Sequence, residues 1–193
     1  MQMLKDRIAA EGKVLPGSIV KVDGFLNHRI DIRLMREMAK EFCRRFSLEG
    51  ITAVLTVEAS GIALGTVCAE EMGVPLLFAK KAKSDNIEGG LYQCDIFSYT
   101  YNQKVTLLLS REWLGPQDKV LIVDDFLANG EALRGLMEIV RQAGAEVIGI
   151  GIAIEKGFQP GGDRIRGAGY NLQSLAIIEK ADENGIVFRE NPA

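Results

Sequence analysis

The segment Val120–Ala132, with the sequence VLIVDDFLANGEA, constrains this chain more than any other. Its apolar start, Val120–Val123, predicts a fully buried strand, and Asp124 and Asp125 follow where that strand is expected to end. A short loop then leads through Gly130 into an amphipathic helix. Because ligands of open α/β sheets bind at the carboxyl ends of the strands, the segment predicts a binding site.

The chemistry of this segment suits a phosphorylated ligand. Backbone N–H groups of the loop and the positive end of the following helix favour a phosphate. Carboxylates beside a phosphate site favour sugar hydroxyls or a Mg²⁺ ion as their partners. If the strand continues through Asp124 and Asp125, their side chains face opposite sides, and one of them is the main ligand. A solvated acidic turn remains the alternative on these residues alone.

Composition limits the class of protein. The 193 residues fit a single domain, 1–193, and a formal charge of -3 disfavours a nucleic-acid partner. Cys43, Cys68 and Cys94 are widely separated and form neither a disulfide framework nor a zinc spacing. The charged start of the sequence is not typical of a signal peptide, and no segment predicts a membrane helix. We therefore expect a cytoplasmic protein with reduced thiols and no membrane association.

Strand and helix patterns alternate along most of the chain, which predicts an α/β fold with a parallel sheet flanked by helices. The predicted strands are Ile19–Val22, Ala53–Val57, Leu76–Ala79, Val120–Val123, Val147–Ile154 and a final strand, Leu172–Ile178. The predicted helices are Met1–Glu11, a helix capped by Asp31 and running through Phe46, Ile62–Met72, Ala132–Ala143 and Asp163–Gly169.

The pattern changes between the predicted sheet strands. Leu91–Tyr101 and Lys104–Ser110 predict two antiparallel strands, a β-hairpin flap inserted into the order of the sheet. Lys80–Gly90 carries lysines, small polar residues and paired glycines, and it predicts a mobile loop.

The segment Val120–Ala132 resembles the phosphoribosyl diphosphate signature of the type I phosphoribosyltransferases. The resemblance implies that fold and assigns Asp124 and Asp125 to the ribose hydroxyls, directly or through Mg²⁺ and water. The residues that it assigns to the 5-phosphate are Ala128, Asn129, Gly130, Glu131 and Ala132. The chain lacks the hydroxyl residues that are often present at Asn129 and Ala132 in this family. A carboxylate at Glu131 suits a phosphate site only if it points away.

A second loop follows the strand Ala53–Val57. A small loop with glycine, between a strand and a helix, is typical of an anion site. By resemblance it is the diphosphate loop, in which the family often has a non-proline cis peptide bond. The residues concerned are Glu58, Ala59, Ser60 and Gly61. Lys81 and Lys83, on the predicted mobile loop, match the basic family loop that closes over the diphosphate.

The purine site depends mainly on the resemblance. The run Val20–His28, VKVDGFLNH, is similar to the N-terminal hood of the xanthine branch of the family, in which residues matching Val20 and Asn27 contact the base. Lys156 follows an apolar strand and could donate to the oxygen of a 6-oxopurine, in a run, IEKGFQPG, that also matches this branch.

The resemblance implies a purine salvage enzyme with xanthine and 5-phospho-α-D-ribose 1-diphosphate as substrates, Mg²⁺ as cofactor, and a homodimer. It also implies a hood of about residues 1–30 with the C-terminal tail, over a core of about residues 31–180. Two alternatives remain: a phosphoribosyltransferase for hypoxanthine or guanine, and a ligand-sensing purine regulator of the same fold.

Overall fold

The structure, a computed structural model, describes residues 1–81, 90–98 and 103–189. The helices are α1 (Gln2–Glu11), α2 (Ile32–Arg45), α3 (Ser60–Met72), α4 (Glu131–Ala143) and α5 (Gly161–Gly167). The strands are β1 (Lys13–Leu15), β2 (Ile19–Lys21), β3 (Ala53–Val57), β4 (Leu76–Ala79), β5 (Leu91–Ser98), β6 (Gln103–Ser110), β7 (Lys119–Leu127), β8 (Glu146–Lys156), β9 (Leu172–Asp182) and β10 (Gly185–Phe188).

A six-stranded sheet with the order β10-β9-β8-β7-β3-β4 forms the centre of the molecule. Every pair of neighbouring strands is parallel except β9 and β10. The sheet is therefore mostly parallel, as predicted, but it has an antiparallel edge strand that the sequence analysis does not predict. β9 continues to Asp182, a turn reverses the chain, and Gly185 at a φ of 120° begins the return strand.

Two hydrophobic clusters cover the two faces of this sheet. Because successive side chains of a strand point to opposite faces, Leu121 and Val123 of β7 enter one cluster, while Val120 and Ile122 enter the other. The first cluster includes α1, α2, α3 and residues of the N-terminal segment; the second includes α4 and the β5–β6 hairpin. The layers leave the carboxyl ends of the central strands open at one edge of the sheet.

Most helices and strands agree with the sequence prediction. The Asp31 side chain caps α2, since its Oδ1 atom accepts the N–H of Leu34 at 3.1 Å. Leu4 and Ile8 are the buried residues of α1, and the backbone N–H of Gly12 bonds the carbonyl of Ile8 at its end. Within the described part of the chain, no helix combines the length and apolar character that crossing a bilayer requires.

The predicted β-hairpin is present and forms its own two-stranded sheet. Its strands are β5 and β6, and the chain between them, like most of the predicted mobile loop Lys80–Gly90, lies outside the described residues. Lys80, at the end of β4, exchanges two backbone hydrogen bonds with Leu108 of β6, at 2.9 and 2.8 Å. The hairpin is thereby attached to the main sheet beside the open edge.

Strand β7 differs from the prediction in length. It does not end at Val123 but continues to Leu127, because β8 pairs with it up to the pair Leu127 and Glu155. The acidic pair, Asp124 and Asp125, is therefore inside the strand instead of following it.

Candidate active site

The acidic pair of β7 lies at the open edge of the sheet, and both side chains are buried, with exposed fractions of 4% for Asp124 and 6% for Asp125. The Oδ1 atom of Asp124 lies 2.7 Å from the position that a Cβ atom on Gly61 would occupy. The backbone N–H of Asp125 donates to this same Oδ1 atom at 3.0 Å. Asp124 therefore faces the first turn of α3, where only glycine leaves it room.

The surroundings of Asp124 do not compensate its charge. Burial raises the pKa of Asp124 well above its usual range, the negative charge of Asp125 adds to this effect, and Lys81 opposes it. The hydroxyl of Thr56, also buried beside Gly61, has no hydrogen-bond partner among the described residues. A cation or a ligand rich in hydroxyl groups would satisfy this region.

Asp125 connects three segments that are distant in the sequence. Its Oδ1 atom accepts the hydroxyl proton of Ser60 at 3.0 Å, and its Oδ2 atom accepts the side-chain amide of Asn27 at 3.3 Å. The structure thus brings together a predicted ribose ligand, a residue of the predicted diphosphate loop and a predicted purine contact. Both carboxylates approach the start of α3, Asp124 at Gly61 and Asp125 at Ser60, so the expectation that a continued strand turns them to opposite sides is wrong.

The predicted diphosphate loop joins β3 to α3. The peptide bond between Glu58 and Ala59 is cis, as the resemblance implies. Helix α3 begins at Ser60 without a side-chain cap, so the first N–H groups of Ser60 and Gly61 are available to an anion. The Oε1 atom of Glu58 accepts the backbone N–H of Lys81 at 2.5 Å, which holds the start of the basic loop against this turn.

Lys81 lies between two cavities. It lines a cavity of about 340 Å³ together with Glu58 and Ala59, and another of about 180 Å³ along the loop 128–132. One basic residue therefore borders both of the predicted phosphate sites. Lys83 lies outside the described residues.

The loop between β7 and α4 has the backbone geometry of an anion site. Gly130 adopts a φ of 87° and immediately precedes α4, which has no side-chain cap. This left-handed conformation is strained for other residues, so glycine is required there. Ala128, Asn129, Gly130 and Ala132 all line the cavity of about 180 Å³, with their backbone close to the helix start.

Glu131 is paired with a cation. Its Oε2 atom lies 3.2 Å from the guanidinium of Arg134 and accepts the backbone N–H of Phe97 at 3.5 Å. Since the charge of Glu131 is balanced on the side of the β5–β6 hairpin, its presence in the predicted 5-phosphate loop is compatible with phosphate binding.

The predicted purine residues have different surroundings. Lys156 is the last residue of β8, is half-buried, and has its Nζ atom 6.0 Å from the centroid of the Phe126 ring. Burial lowers the pKa of Lys156. Val20 is buried in the hydrophobic cluster against which Phe126 also packs. Asn27 reaches the acidic pair directly, as described above.

The sequence analysis misses two features of this region. Thr56, read as an ordinary strand residue, places a hydroxyl behind the acidic pair. Glu155, inside an apolar strand, is buried and bound by Arg166. A carboxylate within an otherwise apolar strand is itself a signal, because buried charges are nearly always paired.

The described residues contain no group of three or more histidine, cysteine or acidic side chains that could hold a metal ion by themselves. The acidic pair nevertheless suits Mg²⁺, because this ion commonly binds through one or two carboxylates and completes its shell with water and substrate phosphates. The uncompensated burial of Asp124 is consistent with such a cation.

Comparison with known proteins identifies the class that this fold and this site define. The family model of the phosphoribosyl transferase domain matches residues 21–165. The chain therefore belongs to the phosphoribosyltransferase family, and it has the type I fold that the sequence analysis predicts.

Its similarity to individual members covers nearly the whole chain. It is 51% identical to a xanthine phosphoribosyltransferase of Lachnoclostridium phytofermentans, over 98% of each chain. It is 48% identical to a xanthine phosphoribosyltransferase of Bacillus cereus, over 97% of this chain and 95% of that one. Among solved structures, an adenine phosphoribosyltransferase of Giardia lamblia with 9-deazaadenine bound superposes with a TM-score of 0.77 and 26% identity, over 92% of this chain and 98% of that one.

Proposed function

We propose that this enzyme transfers the 5-phosphoribosyl group of 5-phospho-α-D-ribose 1-diphosphate to xanthine, giving XMP and diphosphate in purine salvage. The observation that carries the proposal is the position of Asp125, whose carboxylate joins the loop at Ser60 to the N-terminal segment at Asn27. A ribose bound at Asp125 would have a phosphate loop on one side and the base-binding segment on the other.

The substrate's anionic groups fit the two loops at the edge of the sheet. The 5-phosphate binds at the loop 128–132, through backbone N–H groups and the start of α4. The diphosphate binds at the loop 58–61, where α3 begins, with Lys81 and Lys83 to balance its charge. Support for this arrangement comes from the uncapped starts of both helices and from the placement of Lys81 between the two cavities.

The acidic pair holds the ribose and, with it, Mg²⁺. Asp125 and Asp124 would bind the ion through the ribose hydroxyls or water, with diphosphate oxygens as further ligands. When bound, Mg²⁺ offsets negative charge on the departing diphosphate. The carboxylates themselves stabilise positive charge that develops on the ribose ring as the C1–O bond breaks and the purine nitrogen bonds to C1.

The base is recognised from the opposite side. Lys156 donates to the 6-oxygen of the purine, while Asn27 and the backbone at Val20 provide donors for the 2-oxygen that distinguishes xanthine. Adenine has an amino group in place of the 6-oxygen and would leave the cation unpaired, a cost of about 1–3 kcal/mol. The high identity to proteins named xanthine phosphoribosyltransferase supports xanthine as the preferred base.

The remaining features of the proposal concern the whole protein. Residues of about 1–30 and the C-terminal tail form the hood that covers the base, and α1 and β1 pack against β9 in agreement with this. We further propose a cytoplasmic homodimer without a nucleic-acid partner.

A substrate panel tests the proposal. The protein is incubated with phosphoribosyl diphosphate, Mg²⁺ and each of xanthine, guanine, hypoxanthine and adenine, and the nucleotide product is identified by its mass. We expect the highest kcat/KM with xanthine and essentially no AMP. A higher value with guanine or hypoxanthine would refute the choice of base, and no nucleotide with any base would refute the transferase function.

A further inference from the structure

An ion pair with a buried carboxylate and a partly exposed guanidinium lies behind the proposed 5-phosphate loop. Glu155 is 1% exposed. Both of its carboxylate oxygens accept hydrogen bonds from Arg166, at 2.8 Å from Nη1 and 2.7 Å from Nη2. The hydroxyl of Ser174 also donates to this carboxylate. Although burial raises the pKa of Glu155, these hydrogen bonds and the Arg166 charge lower it overall. The carboxylate is thus fully partnered in a fixed orientation.

The first turn of α5, the helix that carries Arg166, fits closely between the Glu155 carboxylate and the loop. A Cβ atom on Gly162 would overlap the Glu155 carboxylate, and a Cβ atom on Gly161 would overlap the carbonyl oxygen of Ala128. Neither position has space for a methyl group. The first turn of α5 therefore transmits the position of the ion pair to the loop without an intervening side chain.

A hydrogen bond completes this connection. The backbone N–H of Gly161 donates to the carbonyl oxygen of Ala128 at 3.1 Å. Because a trans peptide unit is planar, with its C=O and N–H on opposite sides, this bond also directs the N–H of Asn129 away from α5. Asn129 and Gly130 line the cavity of about 180 Å³ in which the 5-phosphate is proposed to bind.

We infer that Glu155 and Arg166 are positioning residues for the 5-phosphate loop. They hold α5 so that its first turn fixes the Ala128 carbonyl and thereby aims the loop's N–H groups at the phosphate. The inference rests on the proposed function, which supplies the phosphate. It adds a second layer of residues, contributed by β8 and α5, whose effect on the substrate passes entirely through the backbone.

The chain offers a matched control for this pair. Arg141 and Glu138 form an equally short two-bond pair, at 2.7 Å for each bond, on the exposed side of α4. Replacing Arg141 by lysine changes the same chemistry without touching α5 or the loop. Both variants lose a guanidinium, so an effect seen in Arg166→Lys alone is not due to that loss itself, and a second ligand together with the melting temperature separates an effect at the loop from the loss of a less exposed pair.

Calorimetric titration with ribose 5-phosphate and, separately, with Mg²⁺-diphosphate tests the inference, with thermal unfolding recorded for every variant. We expect Arg166→Lys and Glu155→Gln to weaken ribose 5-phosphate binding by about tenfold, as outer-layer residues of binding sites typically do. Diphosphate binding at the loop 58–61 should stay within about twofold. Arg141→Lys should bind both ligands as the wild type does.

Other outcomes overturn the inference. A lower melting temperature with unchanged ribose 5-phosphate binding would reduce the pair to a packing role, and equal weakening of both ligands would indicate general loosening. Steady-state kinetics add a second criterion, because Glu155 directly precedes Lys156 in the sequence. If the variants raise only the KM for xanthine, the Glu155–Arg166 pair orients Lys156 and not the 5-phosphate loop. If Arg166→Lys does not fold, the double variant Glu155→Gln/Arg166→Gln, which leaves no unpaired buried charge, replaces it. Wild-type protein that binds neither ligand would refute the proposed function itself.

Discussion

Replacing Asp124 by asparagine should make the ligand-free protein more stable while it abolishes most turnover. Asparagine has nearly the same shape, and its side-chain oxygen can still accept the backbone N–H of Asp125, which lies 3.0 Å from Asp124 Oδ1. The substitution removes a buried negative charge, which the charge of Asp125 repels. In the described part of the chain this carboxylate forms no ion pair with a cation. In the transition state, the lost charge should cost about 2–4 kcal/mol.

The size of the stability change follows from proton linkage. Because the pKa of Asp124 is raised in the folded protein, the native state binds more protons than the unfolded state, and stability falls as the pH rises between the two pKa values. One proton contributes about 1.4 kcal/mol per pH unit. A chain of 193 residues unfolds with an entropy of about 0.4 kcal/mol/K, so the melting temperature changes by about 3–4 °C per pH unit.

Differential scanning calorimetry of the ligand-free proteins between about pH 5 and pH 8 measures this effect. The melting temperature of Asp124→Asn should exceed that of the wild type by a margin that grows with pH until the raised pKa of Asp124 is passed. A Glu49→Gln variant, which changes an exposed carboxylate, should follow the wild-type profile. A variant that is less stable than the wild type, or a margin that does not change with pH, would refute the reasoning.

Two further substitutions test the phosphate and purine sites separately. Gly130→Ala should raise the KM for phosphoribosyl diphosphate by about tenfold or more, because a left-handed backbone costs an alanine about 1–2 kcal/mol and distorts the loop. The control is Gly144→Ala, because Gly144 has a φ of 70° and follows the C-terminal end of α4. This variant should lower the melting temperature about as much as Gly130→Ala does but leave the KM for phosphoribosyl diphosphate unchanged. Equal KM values for the two variants would contradict a phosphate role for Gly130. Lys156→Met should lower kcat/KM for xanthine by about 10–100-fold, through loss of a charged hydrogen bond, with the KM for phosphoribosyl diphosphate unaffected. Lys40→Met, at an exposed ion pair, is the control, and a normal kcat/KM for Lys156→Met would exclude the contact to the 6-oxygen.

The periodicity of the sequence predicts most of the fold because the central strands are buried on both faces. Runs such as Val120–Val123 and Val147–Ile154 have few alternatives to a parallel strand, and helix α4, which follows the first of them, shows a clear apolar stripe. The edge strand β10 is missed because it is short and only partly buried, so its residues carry no such pattern. The turn before it, with the sequence DENG, is the one signal that could have predicted it.

The candidate site was predictable in its parts but not in its connections. The positions of the two proposed phosphate loops follow from strand–loop–glycine–helix patterns, and the structure places both loops at one edge of the sheet. The contacts of Asp125 with Ser60 and Asn27 could not be predicted, because they depend on side chains that are 65 and 98 positions away in the sequence. Only the order of the strands brings those segments together.

The different surroundings of Asp124 and Asp125 show why adjacent residues in a signature need not share a role. Both side chains approach the start of α3, but they meet different groups there, since Asp124 lies against Gly61 and Asp125 accepts from Ser60. Asp125 accepts from the side chains of Ser60 and Asn27, whereas Asp124 accepts the backbone N–H of Asp125 but forms no ion pair with a cation in the described part of the chain. A site of this kind is less stable when empty, and ligands that supply the missing positive charge or hydroxyl groups gain from relieving it. Substrate binding and the stability of the strand end are therefore coupled through the same carboxylate, which is why the activity and the pH-dependent stability of Asp124→Asn should change in opposite directions.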